Sequence, residues 1–195
     1  GFSAALGLAI LQKSNGLASK VWVFAGDAET EEGMSYEARN SINAMGIDNV
    51  IGSLDHNHFG IDGPITEVMA APYINYWRGA GWNVIEIDGH NILELAAAYR
   101  QAAEGFGNGC PTVVICHTIK GKYYGRLAGT ADSHGAPIPH PEYVELMKKL
   151  GFNIPGVQGE IAKDIEVVAS QIGEKDEKYL TSRLAVCQTN IKQEA

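Results

Sequence analysis

Apolar and polar positions follow two periods along the chain, one helical and one extended. GFSAALGLAILQKS opens it, and residues 2–14 read as a helix rich in Ala, Leu and Ile. VWVFAGD (21–27) is a short apolar run ending in Gly-Asp, the pattern of a buried strand. Helical spacing returns over 31–45, with Met34, Ala38, Ile42 and Met45 on one side. VIGSLDHN (50–57) and WNVIEIDG (82–89) read as a second and a third strand, and TVVICHT (112–118) as a fourth. The stretch 65–80 predicts a helix that Pro72 must start, kink or break, and ILELAAAYRQAAEG predicts a strong one. From about 140 the pattern is helical only, over 140–150, 158–172 and 174–190, with GFNIPG as a separator and a break near Gly173.

Strands that alternate with helices, and that are near-continuous apolar runs, predict an α/β fold. The expected architecture is a parallel sheet with helices on both faces and a helical C-terminal extension. In such sheets the polar residues beyond the C-terminal strand ends line the ligand crevice. Here those ends carry Asp27, then Asp55, His56 and Asn57, then Asp88, Gly89 and His90, and finally His117 and Thr118.

Composition narrows the class. A chain of 195 residues, 45% hydrophobic and 19% charged, suits one domain with a proper core and excludes disorder, collagen and low complexity. The balance of 15 Lys+Arg against 23 Asp+Glu, net −8, argues against nucleic acid or an anionic membrane as the main partner. No apolar run approaches the roughly 20 residues needed to cross a bilayer. Cys110, Cys116 and Cys187 form no CxxC and leave one unpaired, so buried thiols in a reducing cytoplasm are expected. The chain opens without Met or a signal peptide, directly inside an apolar-periodic stretch, and is expected to be a piece of a longer polypeptide.

The strongest local feature is Gly26-Asp27 at one strand end and Asn57 at the next. A carboxylate and a carboxamide held there can share Mg²⁺, which takes few protein oxygens and completes its shell with water and ligand phosphate. That design anchors a diphosphate through a metal. Read alone, Asp27 is equally a helix cap or turn residue.

Several ordered motifs resemble one family. GDAETEEGMSYEARNSINAMGIDNVIGSLDHNHFGIDG is similar to the thiamine-diphosphate motif of transketolase and its relatives, a GDG followed some thirty residues later by Asn. GFSAALGLAI resembles the helix after the family's glycine-rich loop, GWNVIEIDGH the next strand, and HTIKGKYYGRLAGTADSHGAPI the loop ending in its SHGAP histidine. The resemblance implies that Asp27 and Asn57 bind Mg²⁺ through side chains and Phe59 through its backbone carbonyl. Gly26 and Ala28 then let the backbone approach the diphosphate, although Ala28 departs from the usual Gly and its methyl is expected to crowd the phosphate or shift the loop. Glu32 and Glu37 match acidic residues of a glutamate network at the subunit interface. His134 matches the histidine facing the thiazolium and substrate.

The resemblance also implies what the chain must find elsewhere. Residues 1–150 correspond to the diphosphate-binding α/β domain, incomplete at its N-terminus, and 151–195 to a helical extension of it. The pyrimidine-binding domain, with the glutamate that promotes thiazolium deprotonation, is absent. A homodimer whose cofactor spans two subunits is expected, and these residues alone should be inactive. Ketol transfer between sugar phosphates is the leading activity. Lys120 and Lys122 (KGK) and Ala131 depart from transketolase and keep open oxidative decarboxylation of a 2-oxo acid such as pyruvate. A non-catalytic scaffold is the third reading. His56-x-His58 offers two imidazoles on one strand face, but a zinc site is disfavoured because no third N or S ligand is apparent nearby. His117 is expected to be a satisfied polar residue of the crevice wall, and Tyr73, Tyr76 and Trp77 core or interface.

Overall fold

The computed structural model describes residues 1–69, 72–171 and 178. Four strands, β1 (Val21–Gly26), β2 (Val50–His56), β3 (Asn83–Asp88) and β4 (Thr112–His117), form one parallel sheet in the order β1-β2-β4-β3. The register brings their C-terminal ends level. Gly26 pairs with Asp55, Asp55 with Cys116, and Cys116 with Ile87. One step further along, His56 pairs with His117 and His117 with Asp88.

Helices cover both faces, as the apolar strands require. On one face α1 (Phe2–Ser14), α2 (Gly33–Ala44) and α4 (Tyr73–Gly79) bury Phe2, Ala9, Ile42 and Trp77 against Val50, Leu54, Val113 and Ile115. On the other, α5 (Ile92–Glu104) packs Ala98 and Ala102 on Ile51, Val114 and Cys116. Each fully buried Ile, Leu or Val contributes about 1.5–3 kcal/mol relative to exposure. Phe2 lies so close to the sheet that a Cβ on Gly52 would stand 3.1 Å from its ring, which is why glycine sits mid-strand there. Asn91 caps α5, its Oδ1 accepting the amides of Leu93 and Glu94, while Glu94 accepts the Asp88 amide.

The second helix departs from expectation in its start and its buried face, while Pro72 acts as expected. The 31–45 helix begins at Gly33, after a 3₁₀ turn over Ala28–Glu31. Its buried stripe is Ala38, Arg39 and Ile42, while Met34 and Met45, at the helix ends, are exposed. Arg39 is tolerated inside because its guanidinium lies 4.6 Å from the Tyr36 ring centre and 5.4 Å from that of Tyr76. The 65–80 segment is two helices, α3 (Ile65–Val68) and α4, with Pro72 at the start of the second. The next helices are α6 (His140–Lys149) and α7 (Ile161–Gln171). The helix expected over 174–190, the break at Gly173 and Cys187 lie outside the described residues.

The chain divides into two compact units, Gly1–Lys122 with Arg126–Pro137, and Tyr123–Gly125 with the chain from Ile138 onward. The first holds the sheet. In the second, Asp164 of α7 is buried and accepts the Gly156 amide at 2.9 Å, tying the GFNIPG turn to its helix. No helix among the described residues is long and apolar enough to cross a membrane.

Candidate strand-end site

The level strand ends gather the polar residues that the sequence places there. Asp27, directly after β1, is only 1% exposed. Its Oδ1 accepts the Ala28 amide at 2.8 Å and its Oδ2 the His58 amide at 2.7 Å. It therefore does cap the 3₁₀ turn, and it also clamps β1 to the chain leaving β2. Burial by itself would raise this carboxyl. The imidazole of His56 and the amides of His58 and Ala28 together outweigh that effect and hold it below the ordinary carboxylate range. A buried carboxylate kept ionised is an anchor for positive charge.

Asn57 follows β2 by one residue and is half-buried. Its Oδ1 accepts the Phe59 amide at 3.0 Å and its Nδ2 donates to Asp55 at 2.9 Å. The turn that follows is closed by Gly60 N–H to the Gly63 carbonyl and Ile65 N–H to the His58 carbonyl. None of these bonds uses the Phe59 carbonyl. Thr118, at the end of β4, donates its hydroxyl to Asp55. Asp27, Asn57 and Phe59 are thus linked through one short network.

A cavity of about 440 Å³ opens at the same level, lined by Gly26, Asp55, Gly89 and Thr118, with Tyr99 and Cys116 on its wall. A Cβ on Gly26 would meet nothing within 4 Å, so its absence leaves room for a ligand to approach. A Cβ on Gly89 would stand 2.9 Å from that of Cys116, so β3 can turn away from β4 here only with glycine. Ala28 opens the 3₁₀ turn in ordinary right-handed backbone, and its methyl faces Gly60. Burial pushes the Cys116 thiol up, which leaves it an inert wall residue.

Two further residues singled out by the sequence are exposed. His134 is exposed after a 3₁₀ turn over Ala131–Ser133, with its Nδ1 3.1 Å from Lys120 Nζ. An ammonium can only donate, so Nδ1 is the acceptor in this contact. Glu32 is exposed at the start of α2 and makes no capping bond with its side chain. Sequence reasoning missed a supporting residue. Tyr73 is core, as expected, but its hydroxyl also reaches the Asp27 carbonyl at 2.6 Å and Glu31 at 2.9 Å, bracing the site from below. His90 likewise accepts the Ile119 amide at 2.8 Å and fixes the start of the loop after β4.

The histidine pair is corrected more sharply. β2 ends at His56, so His56 and His58 do not share a strand. His58 reaches back through a left-handed backbone, φ 67°, at a cost of about 1–3 kcal/mol for a residue with a Cβ. A third ring nitrogen also lies nearby. His117, paired with His56 across β2 and β4, places its ring nitrogen in one group with theirs, all within 4.8 Å of one another. A spacing of sixty-one residues hides this from a local motif search; the alignment of parallel strand ends reveals it.

Comparison with known proteins identifies the family. The family described as "Transketolase, thiamine diphosphate binding domain" matches residues 10–195. The chain is 36% identical over 139 residues to the 6-deoxy-6-sulfo-D-fructose transketolase subunit SqwG of Clostridium sp. (strain MSTE9), covering 71% of this chain and 50% of that one. It is 30% identical over 162 residues to an apulose-4-phosphate transketolase subunit of Phocaeicola vulgatus, covering 82% of this chain and 57% of that one. It thus spans about half the length of these two relatives. The crystal structure of transketolase from Campylobacter jejuni superposes with a TM-score of 0.73 at 27% identity, covering 95% of this chain and 30% of that one. With the family's thiamine diphosphate binding domain matched over 10–195 and the parallel sheet shared with a solved transketolase, the chain belongs to the transketolase family, in its thiamine diphosphate binding domain.

Proposed function

We propose that this domain binds thiamine diphosphate through Mg²⁺ at the ends of β1 and β2 and serves ketol transfer between sugar phosphates. The observation that carries the reading is the buried, ionised Asp27 tied to the Asn57–Phe59 turn. The donor set fits the ion: a carboxylate, a carboxamide and a backbone carbonyl are hard oxygens, which Mg²⁺ prefers. When bound, thiamine diphosphate supplies the electron sink that a two-carbon carbanion requires.

The chain's own residues divide the remaining work. Asp27, Asn57 and Phe59 hold the cation, and the backbone at Gly26 and Ala28 admits the diphosphate. His134 faces substrate with its Nε2 side while Lys120 occupies Nδ1. Glu32, exposed at the start of α2, joins a contact to a second protomer. The pyrimidine-binding domain comes from elsewhere in the enzyme, in keeping with the two relatives, each of which is a transketolase subunit. The SHGAP histidine and those transketolase relatives favour ketol transfer over 2-oxo acid oxidation.

The test is reconstitution. The 195 residues alone should give no turnover with xylulose phosphate and ribose phosphate. Adding a pyrimidine-binding complement, Mg²⁺ and thiamine diphosphate should restore it. Turnover by the domain alone would contradict the division of the active site.

A further inference from the structure

We propose that His56, His58 and His117 form a second metal site, built for a divalent transition ion of the zinc class and distinct from the Asp27–Asn57 oxygen site. Each ring offers one nitrogen, and the three lie within 4.8 Å of one another. The ring centres of His56 and His58 are 4.1 Å apart, and those of His56 and His117 are 5.3 Å apart. A tetrahedral ion with bonds of about 2.0–2.1 Å needs its donor nitrogens roughly 3.4 Å apart, which side-chain rotation can reach from here.

Three independent features aim these rings at an ion. His58 adopts left-handed backbone at φ 67°, where glycine would be unstrained, and that strained turn is what brings its ring beside His56. His56 is only 7% exposed, and its Nδ1 stands 3.4 Å from Asp27 Oδ2, which leaves Nε2 for an ion. His117 presents Nε2 to Glu86 Oε2 at 3.4 Å. A carboxylate beside one ring nitrogen, with the other nitrogen left for metal, is the usual support of a metal-binding histidine.

The donor chemistry selects the ion. Imidazole nitrogens suit Zn²⁺, Co²⁺, Ni²⁺ and Cu²⁺ and are poor ligands for Mg²⁺. Three histidines leave a fourth position for water or a ligand oxygen. Access exists, because His58 is exposed and a cavity of about 380 Å³ beside His56 and His58 is lined also by Thr66, Asn75 and Arg78. Asp27 supports one site and is the candidate ligand of the other, so the two ions would be neighbours that share a carboxylate.

Cobalt is the probe. The full, untagged protein, stripped of metal, is titrated with Co²⁺ in excess Mg²⁺ while the visible absorption is followed, and Zn²⁺ is then added. One equivalent with the intense bands of tetrahedral Co²⁺, displaced by Zn²⁺, is expected. His58→Gly and His117→Ala should each weaken Co²⁺ binding by at least about tenfold. His58→Gly should also raise the thermal midpoint, since glycine relieves the left-handed turn while keeping its amide on Asp27. Absence of the tetrahedral spectrum, or unchanged affinity in both variants, overturns the site. Thiamine diphosphate titration of the unaltered protein reports on the Mg²⁺ reading separately.

Discussion

The Asp27 corner and the His134 loop belong to one compact unit but are held in opposite ways. Asp27 is buried, with both oxygens accepting backbone amides and a tyrosine hydroxyl bonded to its carbonyl. His134 is exposed, with one ring nitrogen against a lysine. A group that must keep its charge in a fixed place sits where parallel strand ends supply donors. A group that must meet an incoming substrate is presented from a turn at the surface. Stability and activity should therefore separate between the two regions.

Replacing Asp27 with Ala should strike both. It strands the His58 and Ala28 amides and the His56 ring, and should cost on the order of 2–4 kcal/mol in urea denaturation. The same carboxyl makes stability depend on pH. Its folded value lies below its unfolded one, so its contribution is complete above the ordinary range of about 3.9 and is lost as pH falls toward the folded value. Asp27→Asn should flatten that acid limb, and an unchanged acid limb would break the contrast between the regions.

Tyr73→Phe should have an intermediate effect. It deletes a hydroxyl that donates to the Asp27 carbonyl and reaches Glu31, and should cost about 1–2 kcal/mol by the same measurement. A loss of thiamine diphosphate affinity alongside it would show that the brace positions the site as well as the core. His134→Ala should shift stability least, by under about 0.5 kcal/mol, while lowering turnover of the assembled enzyme by at least about tenfold. A large stability loss with unchanged turnover would reverse the contrast.

The sequence made the site legible where chemistry and local pattern coincide. Apolar runs ending in Gly-Asp and His-Asn marked strand ends, and β1 and β2 stop at Gly26 and His56. What it hid depends on register and backbone. That β4 lies between β2 and β3, and so sets His117 beside His56, follows from strand order, which periodicity does not encode. The left-handed turn at His58 is equally invisible, because only a few per cent of non-glycine residues adopt it and no glycine marks it. Tyr73 reads as a core aromatic because its ring is one; its hydroxyl acquires a task only once Pro72 starts α4 beneath Asp27.

The central claim is that the buried Asp27 carboxylate binds thiamine diphosphate by way of Mg²⁺. Calorimetric titration of the enzyme, assembled with its pyrimidine-binding partner, tests it with thiamine diphosphate in the presence and absence of Mg²⁺, for the unaltered protein and for Asp27→Asn. Tight binding that requires Mg²⁺ in the unaltered protein, and that is lost in the folded variant, is the predicted result. Equal affinity in the two proteins, or indifference to Mg²⁺, would contradict it.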